Sequence, residues 1–301
     1  MRILVAGGTG FVGRSIAGEL LQAGHEVWIL SRDPDKVRTI PQLQEASPRR
    51  GDVTEPASLV GVADGMEAIV GVVQFPNYPV ELPRRGLTFD RYDRRGTEHL
   101  LGEARRAGVA RYLYLSGAGA DPASDKTWYR AKGLAEKAVE DSGLEFCILR
   151  PSWAYGPDDK ALNRFAQIAR FSPVVPRLGR HVQRIQPVFV GDIGTAARRI
   201  FEVDDAWGEV VEIGGPEVFS MDEVIRTMLD VLGLRRAVWP VPAALAKLAT
   251  APLVALPKPP MSPGGVEFAM QDAVVDNSAA EAVLDMHPIP LRAGLSRYLR
   301  R

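Results

Sequence analysis

The chain has almost no cysteine. Cys147 is the only one in 301 residues, so no intramolecular disulfide can form, which agrees with a reducing compartment such as the cytoplasm. There is no surplus of charge either. The 37 Lys and Arg balance the 37 Asp and Glu, which argues against a nucleic-acid partner recruited by a cationic surface. Histidine is scarce and scattered. His25, His99, His181 and His287 show no metal-ligand spacing, and no metal site is expected. Long apolar runs are missing too. The most hydrophobic stretch, Val238 to Leu256, is broken by Pro240, Pro242, Lys247 and Pro252, which makes it a poor membrane span. It reads instead as a buried or lid helix around Ala243 to Thr250 or, more sharply, as a surface-lying membrane contact. No signal peptide is expected, because the first residues already read as a strand.

What the chain does have begins at those residues. Ile3, Leu4, Val5 and Ala6 form a short apolar run that reads as a fully buried strand. Gly7, Gly8, Thr9 and Gly10 turn the chain, and Phe11 to Leu21 has the apolar spacing of a helix. Strand, glycine turn and helix make a cradle for a pyrophosphate. Bare backbone at Gly7 and Gly10 lets N–H groups approach the anion at the positive end of the helix, and Gly13 lets that helix pack on the strand. The turn therefore points to a dinucleotide, with Gly7, Thr9, Gly10, Phe11, Val12 and Gly13 as candidate contacts.

Strand-like and helix-like segments alternate through residue 150, which implies right-handed βαβ units. The expected fold is α/β: a Rossmann doubly wound parallel sheet with a small C-terminal α/β lobe. Residues 1–155, completed by about 187–215, would bind the dinucleotide, while 156–186 and 216–301 would form the lobe. The second strand, Glu26 to Leu30, runs into Ser31-Arg32-Asp33-Pro34. An acid here holds the adenosine ribose of NAD, whereas an Arg suits the 2′-phosphate of NADP. Ser31 takes the acid's place, Arg32 follows, and Arg14 could reach the same phosphate, so NADP(H) is expected ahead of NAD(H). Asp33 is the ribose acid after a one-residue shift or, as we read it, the N-cap of a helix begun by Pro34. Val72, Val73 and Gln74 end the fourth strand at the crevice. A helix is expected around Leu59 and Val60, and a lid or surface excursion over Phe75 to Arg85. Asp90 to Gly108 reads as one long helix closed by glycine, and Asp192 as a helix N-cap.

The pattern Gly7-x-x-Gly10-x-x-Gly13 resembles the short-chain dehydrogenase/reductase superfamily, in particular its extended and atypical branches. The stretch Asp93 to Leu101 is similar to the N-x-x-G-T-x-N-L signature of extended members, with Asp93 and His99 in place of its two Asn. Arg150-Pro151-Ser152-Trp153-Ala154-Tyr155-Gly156-Pro157 resembles their R-P-x-x-x-Y-G-P element, and Val188 to Ile193 their V-H-V-x-D-V. The resemblance implies that Asp52 and Val53 lie against the adenine and that Pro151 and Trp153 lie beside the nicotinamide. It also implies a Tyr with a Lys four residues later on one helix. The Tyr passes the substrate proton, the Lys lowers its pKa and holds the nicotinamide ribose, and a Ser after the fifth strand orients a carbonyl.

Counting back four residues from Lys132 meets Trp128 rather than a tyrosine. Tyr129 is one place off, its side chain rotated by about 100° from the required direction, and an indole N–H offers no proton chemistry near neutral pH. The candidate catalytic set is Tyr129, Lys132 and Ser116, the last two also touching cofactor; Tyr155 or Asp192 would be other carriers of the chemistry. The tail Pro259 to Asn277 resembles the accessory-subunit group of respiratory complex I, which lies near the NmrA-like redox sensors. That likeness implies tight NADP(H) binding and a tie to quinones. The reading is an NADP(H)-binding protein with a degenerate Tyr-Lys site, acting as a sensor, a scaffold or a quinone-related protein. The alternative is an active NAD(P)H-dependent oxidoreductase or nucleotide-sugar epimerase/dehydratase using Tyr129 and Lys132. Its partners would be a nicotinamide dinucleotide and a quinone, carbonyl or sugar-nucleotide substrate.

Overall fold

The computed structural model of the protein describes residues 1–179, 183–257 and 259–299; His181 lies outside them. Strands and helices alternate from the start: β1 (Arg2–Ala6), α1 (Phe11–Gln22), β2 (Glu26–Ser31), α2 (Pro34–Arg38), β3 (Ser47–Arg50), β4 (Ala68–Gly71), α3 (Gly96–Ala107), β5 (Arg111–Leu115), α4 (Thr127–Glu140) and β6 (Glu145–Pro151). There follow β7 (Trp153–Tyr155), α5 (Leu162–Phe171), β8 (Val174–Leu178), β9 (Pro187–Phe189), α6 (Val190–Ile200), β10 (Val210–Ile213), α7 (Met221–Leu232) and β11 (Ala237–Val241). Four helices close the chain: α8 (Ala243–Thr250), α9 (Pro263–Ala269), α10 (Ser278–Leu284) and α11 (Leu291–Ser296).

Seven strands form one parallel sheet in the order β10-β6-β5-β4-β1-β2-β3. This is a Rossmann-like doubly wound α/β fold. Strand β1, inside the sheet, is apolar on both faces because both are covered, as parallel sheets require. Ile3 and Val5 face the core shared with α1, α6 and α10, while Leu4 and Ala6 face the core shared with α3 and α4. The edge strand β3 contains Pro48 and two arginines, which suit an edge that must not recruit another strand. A third core gathers β7, β9, α5, α7 and α11 around Tyr155, Val175 and Met228.

Several local expectations are corrected. Leu59 ends a 3-10 turn, Pro56–Leu59, rather than sitting in an α-helix. The segment Asp90–Arg95 is π-helical and only then becomes α3, which Gly108 closes at φ 68 as expected. Asp192 is not an N-cap: α6 starts at Val190, and the Asp192 carboxylate instead accepts the Ile289 N–H at 2.9 Å. Asp33 occupies the N-cap position of α2, yet its side chain makes no capping bond. The loop after β4 is packed down on the body, with Phe75 and Val80 buried. Phe75 and Tyr78 pack against Phe89, and Asn77 donates to the Pro259 carbonyl. Nor is α8 buried, since of its residues only Ala246 is covered.

Candidate functional site

A cleft of about 390 Å³ opens beyond the C-terminal ends of β1, β2 and β4. The strand order reverses at β1, and crevices at such a reversal are where open α/β sheets take their ligands. The floor is the glycine turn. Gly7 has φ 92, and a Cβ on it would lie 2.4 Å from the Val72 carbonyl oxygen. A Cβ on Gly13 would lie 2.2 Å from the Gly7 oxygen. Neither position has room for a side chain. No side chain caps the N-terminus of α1, so its first N–H groups face the cleft end without a side-chain acceptor. Thr9, Gly10, Phe11 and Val12 complete this wall, with Val72, Val73 and Gln74 opposite.

At the far end of the cleft stand Ser31, Arg32, Asp33, Asp52 and Val53. The Ser31 hydroxyl donates to the Asp33 carbonyl at 2.8 Å and accepts its N–H at 3.1 Å, which holds the turn after β2. Asp52 accepts from both the N–H and the hydroxyl of Thr54, at 2.9 and 2.8 Å, so it caps its own turn while lining the cleft. The Arg32 guanidinium is 4.0 Å from the Asp52 carboxylate and more than half exposed, free to swing toward an anion. Lys36, four residues on in α2, also lines the cleft and went unnoticed in the sequence. Its signal was available as a second cation spaced behind Arg32. Arg14 does not join this group. It is held by the Asp158 carboxylate at 3.0 Å and the Gly10 carbonyl at 3.2 Å.

The other end is built differently. Ser116, Lys132, Pro151 and Trp153 do not line the cleft, which ends at Leu115 and Tyr92. Trp128 is buried in a nest of rings, 5.3 Å from Phe268, 5.7 Å from Tyr129 and 6.3 Å from Phe89. Tyr129 is half-buried with its ring over Gly119, where a Cβ would come within 2.7 Å of it. Burial raises the Tyr129 phenol above its ordinary pKa. The Lys132 ammonium is pinned: it donates to the Leu115 carbonyl at 2.9 Å, pairs with the Asp93 carboxylate at 2.9 Å and sits over the Tyr114 ring. Asp93 belongs to the π-helical turn and is fully buried. Burial pushes its carboxyl upward against the opposing pull of Lys132. Ser116 is buried with its Oγ unpaired.

Two further candidates are held by partners within the fold. Arg150 makes a two-pronged pair with Glu136, at 2.8 and 2.6 Å, and a longer one with Glu212. Tyr155 is fully buried, its hydroxyl 3.4 Å from the Leu291 carbonyl. No group of metal-ligating side chains occurs among the described residues, and no helix among them is long and apolar enough to cross a membrane.

Residues 7–172 match the family model described as NAD(P)H-binding. The chain belongs to this NAD(P)H-binding family. It is 28% identical over 258 residues to the mitochondrial NADH dehydrogenase (ubiquinone) 1 alpha subcomplex subunit 9 of Arabidopsis thaliana, covering 82% of this chain. It spans 62% of that relative's length. It is 29% identical over 272 residues to a 3 beta-hydroxysteroid dehydrogenase/Delta 5→4-isomerase of Mycobacterium tuberculosis, covering 79% of this chain and 70% of the relative. In fold it is similar to UDP-glucuronic acid 4-epimerase of Bacillus cereus, with a TM-score of 0.76, 17% identity and coverage of 99% of this chain and 98% of that one. An NADPH-dependent quinone oxidoreductase of Escherichia coli gives a TM-score of 0.71 at 18% identity, covering 98% of each chain.

Proposed function

We propose that this member of the NAD(P)H-binding family holds NADP(H) in the cleft as a cofactor-binding sensor or scaffold, without Tyr-dependent reductase chemistry. The pinned Lys132 carries this reading. A reductase lysine must present its ammonium to a tyrosine and to the nicotinamide ribose. Here the ammonium already has a buried carboxylate and a carbonyl as partners, and the residue one helical turn before it is a buried tryptophan. The cleft fits a dinucleotide, because its floor excludes every side chain where a pyrophosphate needs bare backbone. Gly7, Gly10 and Gly13 would flank the pyrophosphate, Asp52 and Val53 the adenine, and Arg32 with Lys36 a 2′-phosphate. A nicotinamide ring held there would supply or accept hydride. The complex I subunits among its relatives support a tie to quinones.

Equilibrium titration of NADPH and NADH into wild type and Arg32→Ala tests the cofactor choice. NADPH should bind more tightly, and the preference should shrink in the variant; equal affinities in wild type would refute it. Incubation with NADPH and quinones, aldehydes and ketones should give no turnover.

A second reading, an oxidoreductase or epimerase using Tyr129 and Lys132, is favoured by the unpaired Ser116 hydroxyl beside the Leu115 carbonyl that Lys132 touches. Turnover abolished by Tyr129→Phe with NADPH affinity intact would establish it against the first.

A further inference from the structure

Two long stretches of this electrically neutral chain contain no acid. Lys160 to Gly191 and Val231 to Val266 lack Asp and Glu, yet between them they carry Lys160, Arg164, Arg170, Arg184, Arg235 and Arg236, besides Arg177 and Lys247, which acids outside these stretches, Asp222 and Glu267, pair with. The fold joins these stretches, because β8 and β11 pair in parallel. Register places Val174 beside Ala237 and Pro176 beside Trp239, all four exposed, while Val175 and Val238 turn the opposite way into the third core. The outer face of this two-stranded ribbon is therefore apolar and open.

The same segments hold most of the large apolar side chains that the fold leaves in water. Phe171, at the end of α5, is 90% exposed and Trp239 is 65% exposed. Along the chain after Trp239 come Leu245 and Leu248 of α8, the latter 73% exposed, and then Val254 and Leu256. The other large exposed apolar side chains, Met1, Val60, Val218 and Val274, are scattered. Patches of this kind mark contact surfaces rather than ordinary exposure.

The surrounding charge selects the partner. Arg164, Arg236 and Arg85 donate to the carbonyls of Pro260, Ala169 and Pro257, which fixes each guanidinium beside the apolar segment without cancelling its charge. Arg84 and Arg235 are exposed next to them. Apolar side chains with a tryptophan among them, ringed by cations and poor in acid, complement a bilayer surface whose headgroups are negative. A protein partner would need acids on its own side and a matching shape, whereas a lipid surface needs only the composition seen here. We propose that β11, α8 and the segment through Leu256 dock this protein on an anionic membrane surface, lying in the interface without crossing it. The Lys247–Glu267 ion pair and the packing of α8 on α9 tie the docking segment to the body.

The test is co-sedimentation of the full chain with phosphatidylcholine vesicles, with and without phosphatidylglycerol, at low and high salt. Binding should require the anionic lipid and weaken with salt. It should fall about tenfold or more in a Leu245→Ser, Leu248→Ser double variant and in Trp239→Ser. NADPH affinity should stay unchanged in both, which certifies that they fold and separates this result from the cofactor reading. Failure of wild type to sediment with anionic vesicles overturns the proposal. So does a concentration-dependent oligomer that the same substitutions dissolve while vesicle binding is absent, because the face would then join copies of the chain.

Discussion

The glycine-floored cleft and the region under α4 are made of different materials. The cleft floor is made of backbone: Gly7, Gly10 and Gly13 matter through what they lack, and the space left by their missing side chains shapes it. The region under α4 is made of side chains: Trp128 in its ring cluster, Tyr129 over Gly119 and Lys132 between Asp93 and Leu115. A backbone site persists as long as three glycines persist. A site that depends on the direction of one hydroxyl is undone when the tyrosine moves one residue along a helix, because each residue turns the side chain by about 100°.

The sharpest way to break this contrast is at Asp93. If Lys132 is held by a buried ion pair, Asp93→Ala strands an ammonium whose side chain is 14% exposed and should cost about 3–5 kcal/mol in urea unfolding. Asp93→Asn keeps an acceptor and should cost less. A neutral Asp93→Ala would mean that Lys132 is not locked. At the opposite end, Gly7→Ala must place a Cβ against the Val72 carbonyl at a positive φ. Strain of about 1–2 kcal/mol and overpacking of about 1–3 kcal/mol should both appear in the unfolding free energy. NADPH titration should show lost affinity, and wild-type affinity would refute the bare-backbone argument.

Smaller effects sharpen the comparison. Arg32→Ala should weaken NADPH binding by about 1.5–3 kcal/mol, the size of a hydrogen bond to a charged group, and leave NADH nearly unaffected. Lys36→Ala should do the same more weakly, since an exposed ammonium is a well-hydrated point charge. The smallest change is expected at Tyr129. Burial penalises its phenolate, so its pKa moves up and the phenol stays protonated to more alkaline pH than free tyrosine. Alkaline titration of tyrosinate absorbance in wild type and Tyr129→Phe should reveal no Tyr129 ionisation below about pH 10. A step below that value would mark an activated tyrosine and favour the oxidoreductase reading.

Much of the cleft was legible in the chain because its signals are local. An apolar strand, three spaced glycines and an amphipathic helix are neighbours in sequence, and strand alternation placed Val72 and Val73 at the same crevice. Lys36 carries only a weak local signal, a second cation four residues beyond Arg32 in α2. The departures lie where partners are remote. Arg14 points at Asp158, 144 residues away, and Asp192 serves the backbone of Ile289 rather than its own helix. Arg150 is bound by Glu136, a partner on another element. The helix α8 looked buried from its composition, yet burial depends on whether another element comes to cover it, and little does.

The sequence by itself determined the α/β class, the glycine turn that shapes the cleft, and the displacement of Tyr129 relative to Lys132, since backbone sterics and helical periodicity act over a few residues. Only the tertiary structure decided that Asp93 would claim Lys132, that Trp128 would be walled in by Phe89 and Phe268, and that Trp239 and Leu248 would remain in water. Those outcomes depend on which distant segments meet, and a side chain's charge, burial and freedom are set by its neighbours in space.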